Sequence, residues 1–201
     1  MAGERHNLNT NAEAGKTSAP ADLHVLIRDC IAQDRKAQKK LYDTYAPFVY
    51  GVVRRYVAIS EHAQEILNDS FYRIFTKLDQ YSFEGAFEGW LRRITINQIS
   101  DHFRKKANKT DHSVAVEDYH AYVDNDVLGK IGQKELLGLI HELPEVQRAV
   151  FNLYVFDNYA HKEIASLLGI TDNNSRWHLN DARRRLKEKI SLTMRNVNGR
   201  E

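Results

Sequence analysis

The chain holds one cysteine, Cys30, among 201 residues, which excludes an intramolecular disulfide and any cysteine-rich zinc site. Proline occurs three times, and none falls between Pro47 and Pro144, so few breakers interrupt helical periodicity. No apolar run approaches the roughly 20 residues needed to span a bilayer, and residues 1–21 lack the apolar centre of a secretion signal. These absences point to a cytoplasmic chain without membrane insertion. There is no Gly-rich phosphate loop, no serine in a nucleophile-elbow context and no histidine pair at zinc-ligand spacing. The residues therefore suggest neither a cofactor nor an enzyme. Asp118, His120 and Asp124 invite a metal, but they fall in a polar segment that reads as a linker.

The formal net charge of +2 excludes a polycation, yet the charge is unevenly placed. Between Trp90 and Lys109, Arg92, Arg93, Arg104, Lys105, Lys106 and Lys109 face one acid, Asp101. From Asp111 to Asp126 there are five acids and no Lys or Arg. Such alternation suits separate surfaces for separate partners.

Period-3.6 patterning dominates from Asp22 onward and predicts an all-α fold of two helical domains joined by a polar acidic linker. Residues 1–21 read as a disordered tail. The first domain, 22–106, contains four helices. One runs from Asp22, read as its N-cap, to Gln33, and a second spans Lys36–Val57 with a kink or break expected at Pro47. A third starts at Ser60 as N-cap and carries the stripe Ala63, Ile66, Leu67, Ser70, Phe71, Ile74 and Leu78. The loop Gln80–Gly85 then leads to a fourth with Phe87, Trp90, Leu91, Ile94, Ile99 and Phe103. Residues 107–126 are the linker. The second domain, 127–195, has one helix to Leu143 and another from Pro144 to Phe156, followed by helix-turn-helix spacing.

That spacing is the chain's most informative feature. In Glu163–Thr171, Ala165 is small where helices must approach, Gly169 suits a positive φ, and Thr171 suits an N-cap. The next helix presents Asn173, Asn174, Arg176, Trp177 and Asn180 near its start. Asn pairs well with adenine and Arg with guanine in the major groove. Arg183, Arg184, Arg185, Lys187 and Lys189 follow and suit phosphates. A solvated basic helix end would carry similar charges.

Two features of the first domain add to this. Tyr81, Phe83, Phe87 and Trp90 cluster about a loop and precede Arg92, Arg93, Asn97 and Arg104, a mixture suited to stacking and holding single-stranded nucleic acid. Phe87 and Trp90 read better as core, whereas Tyr81 and Phe83 read as more open. Glu61, Glu65 and Asp69 form an acidic ridge opposite the third helix's apolar stripe. Like charges at that spacing cost helix stability, which a basic partner would offset, although an ordinary solvated face reads equally well.

Over about Asp22 to Leu192 the chain resembles the extracytoplasmic-function group of bacterial RNA polymerase sigma factors. The resemblance rests on Ala63–Phe71 and Phe87–Asn97 for sigma region 2, and on Leu143-Pro144-Glu145, Lys162–Ile170 and Ala182-Arg183 for region 4. It implies that Glu65, Asn68 and Asp69 dock on the β′ coiled coil of core RNA polymerase. It implies that the Tyr81–Gly85 loop, with Phe83, and Asn97 capture a flipped base of the minus-10 element, with Arg92, Arg93 and Arg104 on phosphates. Asn173, Asn174, Arg176, Trp177, Asn180, Arg183 and Arg184 would read the minus-35 element of promoter DNA, while region 4 rests on the β flap. An anti-sigma factor is a further implied partner. Many relatives have Gly-Thr-Val where this chain has Asn173-Asn174-Ser175, and Ser175 stands at a usually apolar, inward-facing site. Trp177 and Asp181 also depart from the family pattern. The alternative class is a stand-alone helix-turn-helix regulator with a helical dimerisation or effector domain.

Overall fold

The computed structural model describes residues 20–107 and 133–198. Among them it is all-helical. The helices are α1 (Pro20–Ile31), α2 (Arg35–Tyr56), α3 (Ser60–Thr76), α4 (Phe87–Ala107), α5 (Gln133–His141), α6 (Glu145–Val155), α7 (His161–Leu168) and α8 (Asp172–Asn198), with a 3₁₀ turn at Leu78–Gln80. Asp118, His120 and Asp124 lie outside the described residues, as does nearly all of the expected tail and linker.

Helix ends follow local chemistry, with three differences from the sequence reading. Asp34 caps α2 by accepting bonds from the Lys36 and Ala37 amides at 2.7 and 2.8 Å. Pro20 opens α1, so Asp22 sits inside the first turn, where it faces the positive end of the helix dipole instead of capping. Ser60 is likewise the first helical residue of α3, behind Ile59 in the cap position, and its hydroxyl lies 3.1 Å from that of Tyr50. The third difference is Pro47, through which α2 runs without a break. Pro47 and Asp43, whose carbonyl loses its intrahelical donor, are both exposed.

Two apolar clusters organise the packing. One lies within α1–α4 and joins Leu26, Ile27, Cys30, Leu41, Tyr45 and Val49 to Phe71, Ile74, Phe87 and Leu91. Cys30 acts there as a small hydrophobe, its thiol pushed up to about 11 mainly by burial and further by Asp29 and Asp34. The second cluster crosses from one half of the chain to the other. It unites Val52, Val53, Tyr56, Ile96, Ile99 and Phe103 with Leu139, Ile140, Val150, Leu153, Ile164, Leu179 and Leu186. In consequence α5 and α6 pack against α2, and α7 packs against α4.

The turn after α7 has the anticipated form. Gly169 adopts φ +71°, and its amide donates to the Ala165 carbonyl at 3.0 Å, as does that of Ile170 at 3.1 Å. A Cβ added at Gly169 would meet the Arg104 side chain no closer than 3.8 Å, so space is not the constraint. The backbone is. Gly169→Ala is expected to lower unfolding free energy by about 1–2 kcal/mol through left-handed strain, read from urea denaturation. An Asn at the same position should cost less.

Candidate nucleic-acid interface

The basic helix of the second half begins with a well-formed cap. Thr171 Oγ1 accepts from the Asn174 amide at 3.1 Å, and the Thr171 carbonyl accepts from the Ser175 amide at 2.9 Å. This orients the first turn of α8 with Asn173 and Arg176 exposed and Asn174, Trp177 and Asn180 half-buried. Arg176 donates through Nε and Nη2 to one oxygen of Asp172, at 3.1 and 3.0 Å.

Ser175 points inward and is wholly buried. Its hydroxyl lies 2.9 Å from His161 Nδ1 at the start of α7, so the inward-facing serine has a hydrogen-bond partner. His161 in turn stacks on Tyr154, with ring centroids 4.7 Å apart, and the Arg183 guanidinium sits 5.6 Å from the Tyr154 ring centre. A continuous chain of contacts therefore runs from the start of the basic helix through α7 to α6. Neither His161 nor Tyr154 stood out in the sequence, since the pairing with Ser175 closes only when the turn is built.

Asp181 is an internal clamp. It accepts from Arg184 at 2.6 and 3.1 Å, from Arg185 at 2.8 Å and from Gln147 on α6. Burial alone would push its carboxyl up, but the bonds from Arg185 and Arg184 outweigh this and hold it below the usual range. Arg184 also reaches Glu188 at 2.9 Å.

In the first half, the loop before α4 is tightly made. Tyr81 is buried, not open, and its hydroxyl donates to the Gly85 carbonyl at 2.9 Å across the loop. Phe83 is 40% exposed and adopts φ +61°, a conformation a bulky residue rarely takes. Its ring stacks on His24 at 3.8 Å and tilts against Tyr81 at 4.9 Å. Of the loop's two aromatics, Phe83 alone is exposed. Phe87 is core and Trp90 half-buried. On α4, Arg93, Asn97 and Arg104 are exposed, with Arg104 paired to Asp101.

Arg92 has a different fate. Its Nε donates to Asp157, in the turn after α6, and Asp157 also accepts from the Tyr56 hydroxyl and lies 3.7 Å from Arg55. Nothing in the local sequence marks Asp157, because its partners lie 65 to 102 positions away along the chain.

On the far face of α3, Glu61, Glu65, Asn68 and Asp69 are all exposed. Asp69 accepts from Gln98 Nε2 at 3.0 Å, and Gln64 Nε2 lies 3.5 Å from Asn68 Oδ1. Beside them Tyr72 is 72% exposed, a residue the sequence reading passed over because it breaks the acidic pattern. Among the described residues no group of His, Cys, Asp or Glu could hold a metal, and no helix is long and apolar enough to cross a membrane.

Two helical modules, the second ending in a Gly-turned, N-capped basic helix, define a helical DNA-binding transcription protein. Sigma-70 region 2 matches residues 41–109, and Sigma-70, region 4 matches residues 133–186. The ECF RNA polymerase sigma-E factor of Haemophilus influenzae is 22% identical over 173 residues, which cover 80% of this chain and 91% of that protein. The ECF RNA polymerase sigma factor SigW of Bacillus subtilis is 24% identical over 186 residues, covering 84% and 98%. The RNA polymerase sigma-H factor of Pseudomonas aeruginosa is 25% identical over 147 residues, covering 67% and 76%. The chain belongs to the extracytoplasmic-function group of RNA polymerase sigma factors, carrying sigma regions 2 and 4 in that order. It is a factor that directs transcription initiation.

The histidines of the second half give a pH test. Burial is the main cause that pushes His141, His161 and His178 below the ordinary histidine range, and Arg176 adds to it at His161. His178 Nδ1 is buried without a hydrogen-bond partner. The unfolded chain takes up these protons near pH ~6.5 while the folded chain resists them. Stability is therefore complete above that value and falls as pH drops through it. The urea midpoint should decline between about pH 7.5 and about pH 5.5, and less steeply in His178→Gln.

Proposed function

We propose that the chain divides its work between the two modules as follows. The α3 face bearing Glu65, Asn68 and Asp69, with Tyr72 beside them, docks on the β′ coiled coil of core polymerase. A partner rich in Lys or Arg would relieve the repulsion along that ridge. Phe83 stacks on an unpaired base of the melted minus-10 strand, a contact worth roughly 1–3 kcal/mol, and Asn97 reads its edge. Arg92, Arg93 and Arg104 hold adjacent phosphates, which position the strand without specifying it. Tyr81 supports the loop from beneath.

The start of α8 reads the minus-35 element in the major groove. Asn173 and Arg176 are placed for base edges, with Asn174, Trp177 and Asn180 next to them, while Arg183 and Arg184 serve phosphates. Region 4 also rests on the β flap. Catalysis belongs to the polymerase, and this chain supplies promoter choice and assists strand opening without being an enzyme itself. It works in the cytoplasm, where an anti-sigma factor restrains it until a signal arrives. The observation that carries this reading is the ordered pair of sigma regions, joined to an exposed acidic ridge on one module and an exposed, N-capped Asn–Arg turn on the other.

The decisive experiment is transcription with purified core polymerase on a genomic promoter library, with start sites mapped by run-off. Specific initiation and co-purification with core enzyme are the expected results, and failure of both overturns the reading. Within that assay, Asn97→Ala should reduce promoter melting, scored by permanganate reactivity, more than closed-complex formation. Arg176→Ala should weaken upstream recognition by about 1–3 kcal/mol, the range of one bidentate base contact.

A further inference from the structure

A run of aromatic rings leads from the buried Tyr81 to the surface of the first module. Tyr81 meets Trp90, Phe83 and Phe87 at ring-centroid distances of 5.6, 4.9 and 5.0 Å, with the planes tilted by 51°, 54° and 61°. The outermost contact differs in kind. Phe83 and His24 are parallel to within 11°, and their centroids are 3.8 Å apart. His24 belongs to α1 and is exposed, so this stack joins two elements that the chain itself does not place together.

Phe83 has little room for a further flat ring. The imidazole already lies over it at stacking distance, and Tyr81 packs against it at a steep tilt from a second direction. The surrounding backbone is fixed. The bond from the Tyr81 hydroxyl to the Gly85 carbonyl braces the loop, and Leu26, Ile27 and Cys30 anchor α1 in the core. What can move without disturbing any packing is the exposed His24 side chain, by rotation about its own bonds. An imidazole is a flat aromatic heterocycle, as a nucleobase is. It is smaller than either a pyrimidine or a purine and offers less area to a stack.

We propose that His24 is an internal stand-in for a nucleobase: it covers the stacking face of Phe83 in the free chain, and an unpaired base of the melted strand takes its place. The exchange is favourable because the larger ring covers more of Phe83, while the released imidazole enters water at a site that is already exposed. Until then the stack holds the Phe83 ring in one orientation, so the site is arranged before the strand arrives. Residue 24 thereby tunes the strength of base capture without belonging to the loop. The inference rests on the reading of Phe83 as the base-stacking residue and deepens it by naming what occupies that face beforehand.

The test uses the full chain and a labelled single DNA strand of about 20 nucleotides in random sequence, since stacking accepts every base. His24→Ala should bind it about two- to tenfold tighter than wild type, the range of one aromatic pair. His24→Phe, whose larger ring holds the face harder, should bind more weakly than wild type. Val25→Ala, a trimming at the neighbouring exposed site of α1, should leave the affinity unaltered. Phe83→Leu should weaken binding, and in that background His24→Ala should have no further effect, because the shared face is gone. Helical content by circular dichroism should be the same in all of these variants. Nuclear magnetic resonance of the wild type should find the His24 ring protons displaced upfield by the Phe83 ring current. The oligonucleotide should return them toward the positions they take in Phe83→Leu. The proposal is overturned if His24→Ala binds as wild type does or more weakly, the weaker result making the imidazole a platform for the base and not its stand-in. It is overturned too if the His24 protons keep their positions when the strand is bound. An unchanged affinity in Phe83→Leu alone would instead overturn the reading of Phe83 as the base-stacking residue, and the exchange with it. Failure of the wild-type chain to direct core polymerase would overturn the sigma-factor reading, and the oligonucleotide results would still judge the exchange.

Discussion

The last turn of α2 is the point on which the two halves of the molecule meet. A helix end leaves its final carbonyls without intrahelical donors. Here two of them are served from the other half of the chain: His141 Nε2 lies 2.6 Å from the Arg54 carbonyl, and Asn152 Nδ2 donates to that of Arg55 at 2.8 Å. The same turn supplies Arg55 and Tyr56 to Asp157. The His141 bond requires the proton on Nε2, which agrees with a neutral ring. Each carbonyl bond contributes about 1 kcal/mol net, because water would serve the same acceptor if the halves parted. Strength therefore comes from the shared apolar cluster and orientation from the polar contacts.

Charge is distributed on the same logic. Several arginines suited to nucleic acid already have an acid partner within the chain: Arg104 with Asp101, Arg176 with Asp172, Arg184 with Asp181 and Arg92 with Asp157. The Arg104–Asp101 and Arg176–Asp172 pairs are partly exposed to solvent, and surface pairs are worth about 0–1 kcal/mol. The Asp157 cluster differs because its carboxylate is buried between the two halves.

Much of this was legible along the chain. The stripe Ala63, Ile66, Leu67, Ser70, Phe71, Ile74 and Leu78 is buried as its period requires, because a helix in contact with a core has one inward face. Gly169 and Thr171 perform the turn and cap that their chemistry favours. Where local reading went astray, solvent or a distant neighbour decided the matter. Pro47 does not break α2, and both it and Asp43 are exposed. Tyr81 lies in a loop yet is buried, since its ring meets Phe87 and Trp90 and its hydroxyl finds Gly85. Ser175 holds an inward site without distortion because His161, fourteen residues earlier, reaches its hydroxyl.

By itself, the amino-acid order determined the helices, the helix-turn-helix and the exposed chemistry at the start of α8. Those depend on periodicity, caps and turns within a few residues, where covalent connection already brings the partners together. Tertiary structure alone decided that the two modules share a core and that Arg92 faces Asp157. It also decided which of the loop aromatics is presented. These depend on groups separated by tens of residues, and no local pattern encodes a contact whose free energy arises from burying both sides together.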